Sequence, residues 1–266
     1  ASLRAVGDDK RRVREEERRD LRLVGLKLVE RRPERGLLVG GVLQFNDGER
    51  EAVHEDHDVG PPVAPVPIPA APVHVPDGKR EMMDPGAFFA AVRKITGSLD
   101  QVQVDVINRM LTAANHWPSS WLAYALATAW HECRFRPVPE IGKGRGRKYG
   151  KPGKWYGQIP YGRGLPQLTW DYNYEWADAA LGLNGSLLRN FDLALDPDIS
   201  ARLMILGMET GAFTGKALKH YLSGEFATYE QFVPCRRIIN GTDRAEKIAS
   251  YAVGFLAAVR AGRWED

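Results

Sequence analysis

Cysteine is scarce in this chain, with only Cys133 and Cys235 among 266 residues. Two thiols cannot supply a disulfide framework or a four-cysteine zinc site. They fit a reducing compartment and leave open a single bridge. No run of about 18 apolar residues exists, so no membrane-spanning helix is expected. The longest early apolar stretch, Gly36 to Phe45, is short and interrupted by glycine. The N-terminal residues lack the basic-then-apolar order of a secretory signal. Charge of one sign is also lacking. Thirty-seven basic against 34 acidic side chains leave a net +3, too little by itself to imply a nucleic-acid partner. There is no internal repeat and no βαβ alternation.

What is present divides into two unlike parts. Residues 1–82 are rich in charge between Asp8 and Arg35 and become a Pro/Val/Ala tract from Pro61 to Pro76. Such composition favours polyproline II or disorder over a packed core. A helix over Asp8 to Val29 is conceivable, with a largely charged face. No methionine precedes Met82. The segment is therefore expected to be a disordered extension or a non-native leader, and the domain to occupy 83–266. A small wall-binding domain is the alternative for 1–82, although the segment lacks aromatic sugar platforms.

From Asp84 onward the signals are helical. Asp84-Pro85 gives a cap and a first-turn proline, with Gly97 as a stop. Ser98-x-x-Gln101 reads as a capping box ahead of a stripe at Val102, Val106, Met110 and Ala113. Ser119 or Ser120 is expected to cap a helix from Trp121 to Cys133. Asp171 is expected to cap Tyr172 to Leu181, closed by Gly182. Asp196-Pro197 opens a helix to Met208. Asp243-x-x-Glu246 boxes the last helix, with Ile248, Ala252, Phe255 and Val259 on one face. Residues 141–168 form a long Gly-, Lys- and Tyr-rich stretch between helices, and loops of that length are often functional. The expected class is mainly α, with one large irregular insertion.

Two carboxylates carry the chemical reading. Glu132 lies at the end of an apolar helix, where burial and the negative helix terminus both favour a protonated carboxyl. A general acid for a glycosidic oxygen needs that state. The plainer alternative is a surface residue at a helix end. Glu140 follows after Pro137-Val138-Pro139. A helix end and a short extended stretch can open the roughly 6.5–9.5 Å gap that an inverting glycosidase needs between its carboxyls. His131 has no partner at metal spacing, since Phe135 stands where H-E-x-x-H would place a second histidine. It reads as a structural hydrogen-bonding residue, or as one that steers Glu132.

The segment Tyr161 to Tyr174 is dense in neutral amides, hydroxyls and rings. Glycines bracket Arg163, which allows close backbone approach to a ligand. Gln167, Thr169 and Asn173 offer neutral hydrogen bonds, and Tyr161, Trp170, Tyr172 and Tyr174 offer rings for sugar stacking. Trp170 and Tyr174 are the rings expected to be core. Neutral amides with aromatics suit an acetamido sugar better than a phosphate. The plain alternative is a glycine turn leading into an amphipathic helix.

Together, Ala129-Trp130-His131-Glu132, the Tyr-Gly-Arg-Gly-x-x-Gln-Leu-Thr-Trp-x-x-Asn-Tyr run at 161–174 and Arg237-Ile238-Ile239-Asn240-Gly241 resemble glycoside hydrolase family 19. The likeness covers about residues 83–260 and is nearest to the phage endolysin and chitinase-like branch. It implies a lysozyme-like, two-lobed helical domain with a cleft and no cofactor or metal. It also implies roles: Glu132 as general acid, Glu140 as general base, and Thr169 as holder of the attacking water. Asn173 would bind substrate beside that water. Gln167 and Tyr172 would line the cleft, with His131 and Tyr161 also at the sugar. Arg237 and Asn240 would face the cleft from the other lobe. The chain departs from that pattern in a shorter Glu132-to-Glu140 spacing, in Cys133 where threonine is common, and in extra sequence at Tyr156 to Pro160.

The implied substrate is peptidoglycan or, alternatively, chitin. A non-catalytic glycan-binding protein is the alternative of another class. The expected state is a monomer that waits in the cytoplasm until released to the wall, with no nucleic-acid partner. The basic stretch Lys143 to Lys154 has six positive charges and no acid. It reads as attraction to an anionic wall or membrane, as a solvated loop, or as a non-specific RNA contact.

Overall fold

The computed structural model describes residue 72 and residues 78–154 and 156–265. The expected disorder, helix and polyproline character of residues 1–71 and 73–77 lie outside the described residues.

Eight α-helices dominate the described chain, which makes it mainly α. They are α1 (Pro85–Thr96), α2 (Gln101–Ala113), α3 (Ser119–Cys133), α4 (Asp171–Leu181), α5 (Ser186–Arg189), α6 (Pro197–Thr210), α7 (Tyr229–Phe232) and α8 (Ala245–Ala261). Short 3-10 helices cover Phe191–Leu195, Leu218–His220 and Val233–Ile238. Strands β1 (Glu81–Met82) and β2 (Trp264–Glu265) form one antiparallel pair. None of the described helices is long and apolar enough to cross a membrane.

The pairing of β1 with β2 places ordered packing upstream of Met83. The Arg80 amide donates to the Asn115 carbonyl at 3.0 Å. A Cβ on Gly78 would lie 2.2 Å from that same carbonyl oxygen. The helical domain therefore takes in residues before the composition break.

Helix α3 is the centre. Most of its residues from Ser119 to Ala129 are buried, as expected for a helix apolar on all sides. It packs against α8, which also packs against α1. Ser119 and Ser120 do not cap it. Both lie inside its first turn, and the distant Glu225 carboxylate accepts from the Ser119 amide at 2.9 Å and from its hydroxyl at 2.7 Å. An anion at a helix N-terminus satisfies otherwise orphaned donors, so tertiary packing supplies what a local serine was expected to. The helix ends where Arg134 and Phe135 both enter the left-handed region.

Asp84, Pro85 and Gly97 bound α1 as the sequence suggests. The capping box of α2 is Asp100 with Gln103 rather than Ser98 with Gln101. Its buried stripe is accordingly Gln103, Val106, Ile107, Met110 and Leu111, leaving Val102 exposed. Asp196 caps α6 and Gly211 ends it. Asp171 is the first residue of α4, not its cap. No side chain caps α8, because Arg244 occupies its N-cap in a left-handed conformation. Ile248, Ala252, Phe255 and Val259 of α8 are all buried.

Two hydrophobic clusters share α6. Ala201, Met204, Ile205 and Met208 join the larger cluster with α3 and α8. Leu203 and Leu206 join a smaller one built on Tyr174, Trp176, Leu187 and Phe191. The long segment between α3 and α4 runs beside that smaller cluster.

Candidate active site

Glu132 lies one residue before the end of α3. Its side chain is 19% exposed, and its Oε1 accepts from Nη1 of the buried Arg236 at 2.5 Å. Arg236 sits in the 3-10 helix Val233–Ile238, and its Nε donates to the Asp243 carbonyl at 2.9 Å. A guanidinium fixed at both ends holds the carboxylate in one orientation. Oε2 of Glu132 has no hydrogen-bond partner among the described residues.

Glu140 is positioned by a different element. Residues 138–140 run antiparallel to 162–164, which in turn bridge to 168. The Glu140 amide donates to the Gly162 carbonyl at 2.7 Å, and the Gly162 amide donates to Glu140 Oε2 at 3.0 Å. The Tyr149 hydroxyl donates to Oε1 at 2.9 Å. Burial first, and then the neighbouring Glu140 carboxylate, push the Tyr149 phenol up, so it remains a donor. The side chains of Glu140 and Gln167 flank Gly162 so closely that a Cβ there would lie 2.9 Å from Gln167 Oε1 and 3.3 Å from Glu140 Cβ.

Arg163 is the hub of this platform, not a ligand-approach point. It is buried, with Nε donating to Asp192 at 2.7 Å. Nη1 donates to the Ile159 carbonyl, the Tyr161 carbonyl and the Tyr174 hydroxyl at 3.0–3.1 Å. Buried charge is tolerated only when paired and hydrogen-bonded in this way. The bracketing glycine at 164 serves packing: its φ is +74°, and a Cβ would lie 2.4 Å from the Ala194 carbonyl oxygen and 2.5 Å from Ser200 Oγ.

Thr169, Asn173 and Gln167 converge on a crevice of about 90 Å³ that Phe213 and Ile239 close. Ile239 stands three residues beyond Arg236, which ties the crevice through the chain to the segment that grips Glu132. Asn173 Nδ2 donates to the Thr169 carbonyl at 2.8 Å. Gln167 Nε2 donates to the Val138 and Gly164 carbonyls at 3.0 and 2.9 Å. The amide nitrogens thus hold the loop, and the amide oxygens remain for a ligand. Gln167 and Trp170, on either side of Leu168 and Thr169, have φ of +51° and +70°. Non-glycine residues persist there only when their surroundings impose it, a condition that concentrates at functional sites.

Trp170 was expected in the core but is half-buried. It meets Tyr149 edge-on at 5.5 Å and stacks on Tyr172 at 6.1 Å. Burial pushes the Tyr172 phenol up. A ladder Tyr149–Trp170–Tyr172 therefore stands beside Glu140. The sequence offered no sign that Tyr149, inside the basic stretch, belongs to it. That stretch is a succession of tight turns, with amides of 143, 145, 147 and 150 each bonding three residues back.

Other expected site residues fall elsewhere. Tyr161 is buried with the Arg163 guanidinium 3.5 Å over its ring, so that face cannot stack on a sugar. Tyr174 is fully buried, as expected of a core ring. Arg237 and Asn240 are exposed, and Arg237 lines a separate cavity beside α8 rather than the crevice. His131 faces Tyr251 at 6.5 Å, and burial lowers its pKa to about 4. Its ring is neutral at ordinary pH. Cys133 and Cys235 are both free thiols, each pushed up to about 12 by burial. Among the described residues, no group of three His, Cys, Asp or Glu side chains could hold a metal ion.

No protein-family model matches the chain, and no curated protein and no solved structure is found to be similar to it.

Proposed function

We propose that the domain is an endo-acting glycoside hydrolase that cleaves β-1,4 bonds of peptidoglycan by inversion, with a lysozyme-like two-lobed fold. The observation that carries this reading is a shared platform. Glu140, Gln167, Thr169 and Asn173 stand on one hydrogen-bonded set of segments. Across the crevice lies Ile239, on the segment whose Arg236 holds Glu132.

In this mechanism a proton on Glu132 Oε2 passes to the glycosidic oxygen as the bond to the anomeric carbon breaks. Oε1 stays on Arg236. A water held by the Thr169 hydroxyl loses its proton to Glu140 and attacks the opposite face of the sugar. The Asn173 amide oxygen accepts from an acetamido N–H. The Tyr149–Trp170–Tyr172 ladder supplies rings for sugar faces. The protein acts as a monomer that is held in the cytoplasm and released to the wall.

Chitin contains the same linkage between N-acetylglucosamine units, and a chitinase is the alternative enzyme. A glycan-binding domain without turnover gains from one observation. Glu132 is tied to a buried guanidinium, an arrangement suited to a fixed structural carboxylate.

Mass analysis of fragments released from purified peptidoglycan and from chitin oligosaccharides tests all three readings. Muropeptides with a new reducing end are expected, with none from Glu132→Gln. Fragments from chitin alone would select the chitinase. Binding without fragments from either polymer would remove the hydrolase reading. The first-formed anomer, read by proton NMR, is expected to be inverted.

A further inference from the structure

A second cavity, of about 510 Å³, lies where the 3-10 helix Val233–Ile238 turns into α8. The glycosidase reading does not use it. Its apolar surface comes from Val233, Pro234 and Ala245, and Thr242 adds a hydroxyl. Three cations, Arg237, Arg244 and Lys247, line it against a single acid, Glu246. Among the described residues, Arg244 has a distant ion pair, to Asp243 at 3.9 Å.

We propose that this cavity binds a compact anion, a carboxylate or phosphate, carried on a small apolar group. Three cations against one lining acid leave the depression with an excess of positive charge, and such a cluster concentrates anions from solution. The cavity also abuts the start of α8, a 17-residue helix that no side chain caps. Its positive end adds to the three cations. Arg244 has φ of +56°, a conformation that a non-glycine residue keeps only where its surroundings impose it. The adjoining turn is fixed from behind, because the buried Arg236 donates to the Asp243 carbonyl. The turn that carries Arg244 is therefore preorganised, which reduces the ordering cost of binding there. The apolar patch gives a small stem beside the anionic group a place to rest. This assignment does not require that the chain cleave glycan.

The test is calorimetric titration of the full chain at low salt with three probes: inorganic phosphate, N-acetyl-alanyl-alanine and glycerol phosphate. Saturable one-site binding of at least one organic anion, tighter than inorganic phosphate, is expected. The tighter of the two organic probes identifies the source of the anion as peptide carboxylate or phosphoester. The double change Arg244→Gln/Lys247→Gln is expected to weaken it at least about tenfold, the scale of losing two charge-assisted contacts. Arg145→Gln/Lys148→Gln removes equal charge from the basic stretch and is expected to leave binding within about twofold. If the first pair fails to fold by thermal unfolding, Lys247→Gln alone is expected to weaken binding about threefold. Absence of saturation with every probe, or equal weakening by both pairs, would overturn the site. Binding of inorganic phosphate alone would overturn its apolar half. No readout here depends on turnover, so failure of the site and failure of the hydrolase reading are separate results.

Discussion

Arg236 and Glu132, 104 positions apart, meet at 2.5 Å where the end of α3 touches the 3-10 helix before α8. Arg236 is almost wholly buried, whereas Glu132 keeps a fifth of its side chain in contact with solvent. The two therefore carry unequal desolvation costs, and each depends on the other differently.

Removing Arg236 leaves a half-enclosed carboxylate without its cation. Arg236→Gln is expected to destabilise the domain by about 3 kcal/mol, the low end for breaking a buried pair because Glu132 is partly solvated. Glu132→Gln should cost at least as much, about 3–4 kcal/mol, because it leaves the more deeply buried Arg236 guanidinium without its counter-charge, although the amide oxygen still accepts one hydrogen bond. The double variant should recover part of the sum. Urea denaturation of all four proteins measures the coupling, and strict additivity would show that the pair contributes nothing.

Glu132→Gln should also abolish hydrolysis. General-acid catalysis contributes about 10²–10⁴-fold, so a variant that retains more than about a tenth of the wild-type rate on peptidoglycan excludes Glu132 as the acid.

Tyr149→Phe removes the hydroxyl that holds Glu140 Oε1 while keeping the ring that meets Trp170. A loosened base costs orientation in the transition state, so kcat should fall about tenfold with KM little changed. Tyr149→Ala should raise KM as well, because the ladder loses a ring. Steady-state kinetics on a soluble oligosaccharide separates the two, and an unchanged kcat in Tyr149→Phe would mean that the hydroxyl has no part in orienting Glu140.

Gly164→Ala places a methyl group 2.4 Å from the Ala194 carbonyl oxygen, at a φ of +74°. Neither the backbone nor the buried Ser200 can retreat cheaply, and a loss of about 3 kcal/mol is expected. Gly157 also has a positive φ but open space around it. Gly157→Ala should cost only about 1 kcal/mol, and thermal unfolding compares the two.

His131 carries a pH signature. Its folded pKa, about 4, lies below the ordinary 6.5. The unfolded chain therefore binds the extra proton first as pH falls, and stability drops between pH 6.5 and 4. With allowance for its partial exposure, the loss should be about 1–2 kcal/mol. His131→Gln should flatten that part of the stability curve, and unchanged steepness would place the acid lability elsewhere.

The parts legible in the sequence were those set by neighbours along the chain. Asp84-Pro85 and Asp196-Pro197 open helices because a cap and a first-turn proline act within a few residues. Gly97, Gly182 and Gly211 follow the ends of α1, α4 and α6 for the same local reason. The buried face of α8 followed from spacing alone. The convergence of Gln167, Thr169 and Asn173 was also legible, because all three lie within one turn and the helix it enters.

Tertiary structure decided the rest. Arg236, not Arg237, faces Glu132, because the 3-10 helix sets which of two adjacent arginines turns inward. Arg163 became a buried hub because Asp192, Tyr174 and two carbonyls surround it. That burial removed Tyr161 from the expected sugar contacts. Tyr149 reached Glu140 only through the turns between them. The Ser119 cap passed to Glu225, 106 positions away. Sequence determined where the six long described helices run, because caps and hydrophobic spacing act over a turn or two. Only the packed structure decided which polar groups meet, because a buried charge must find its partner wherever the fold brings one within hydrogen-bond distance.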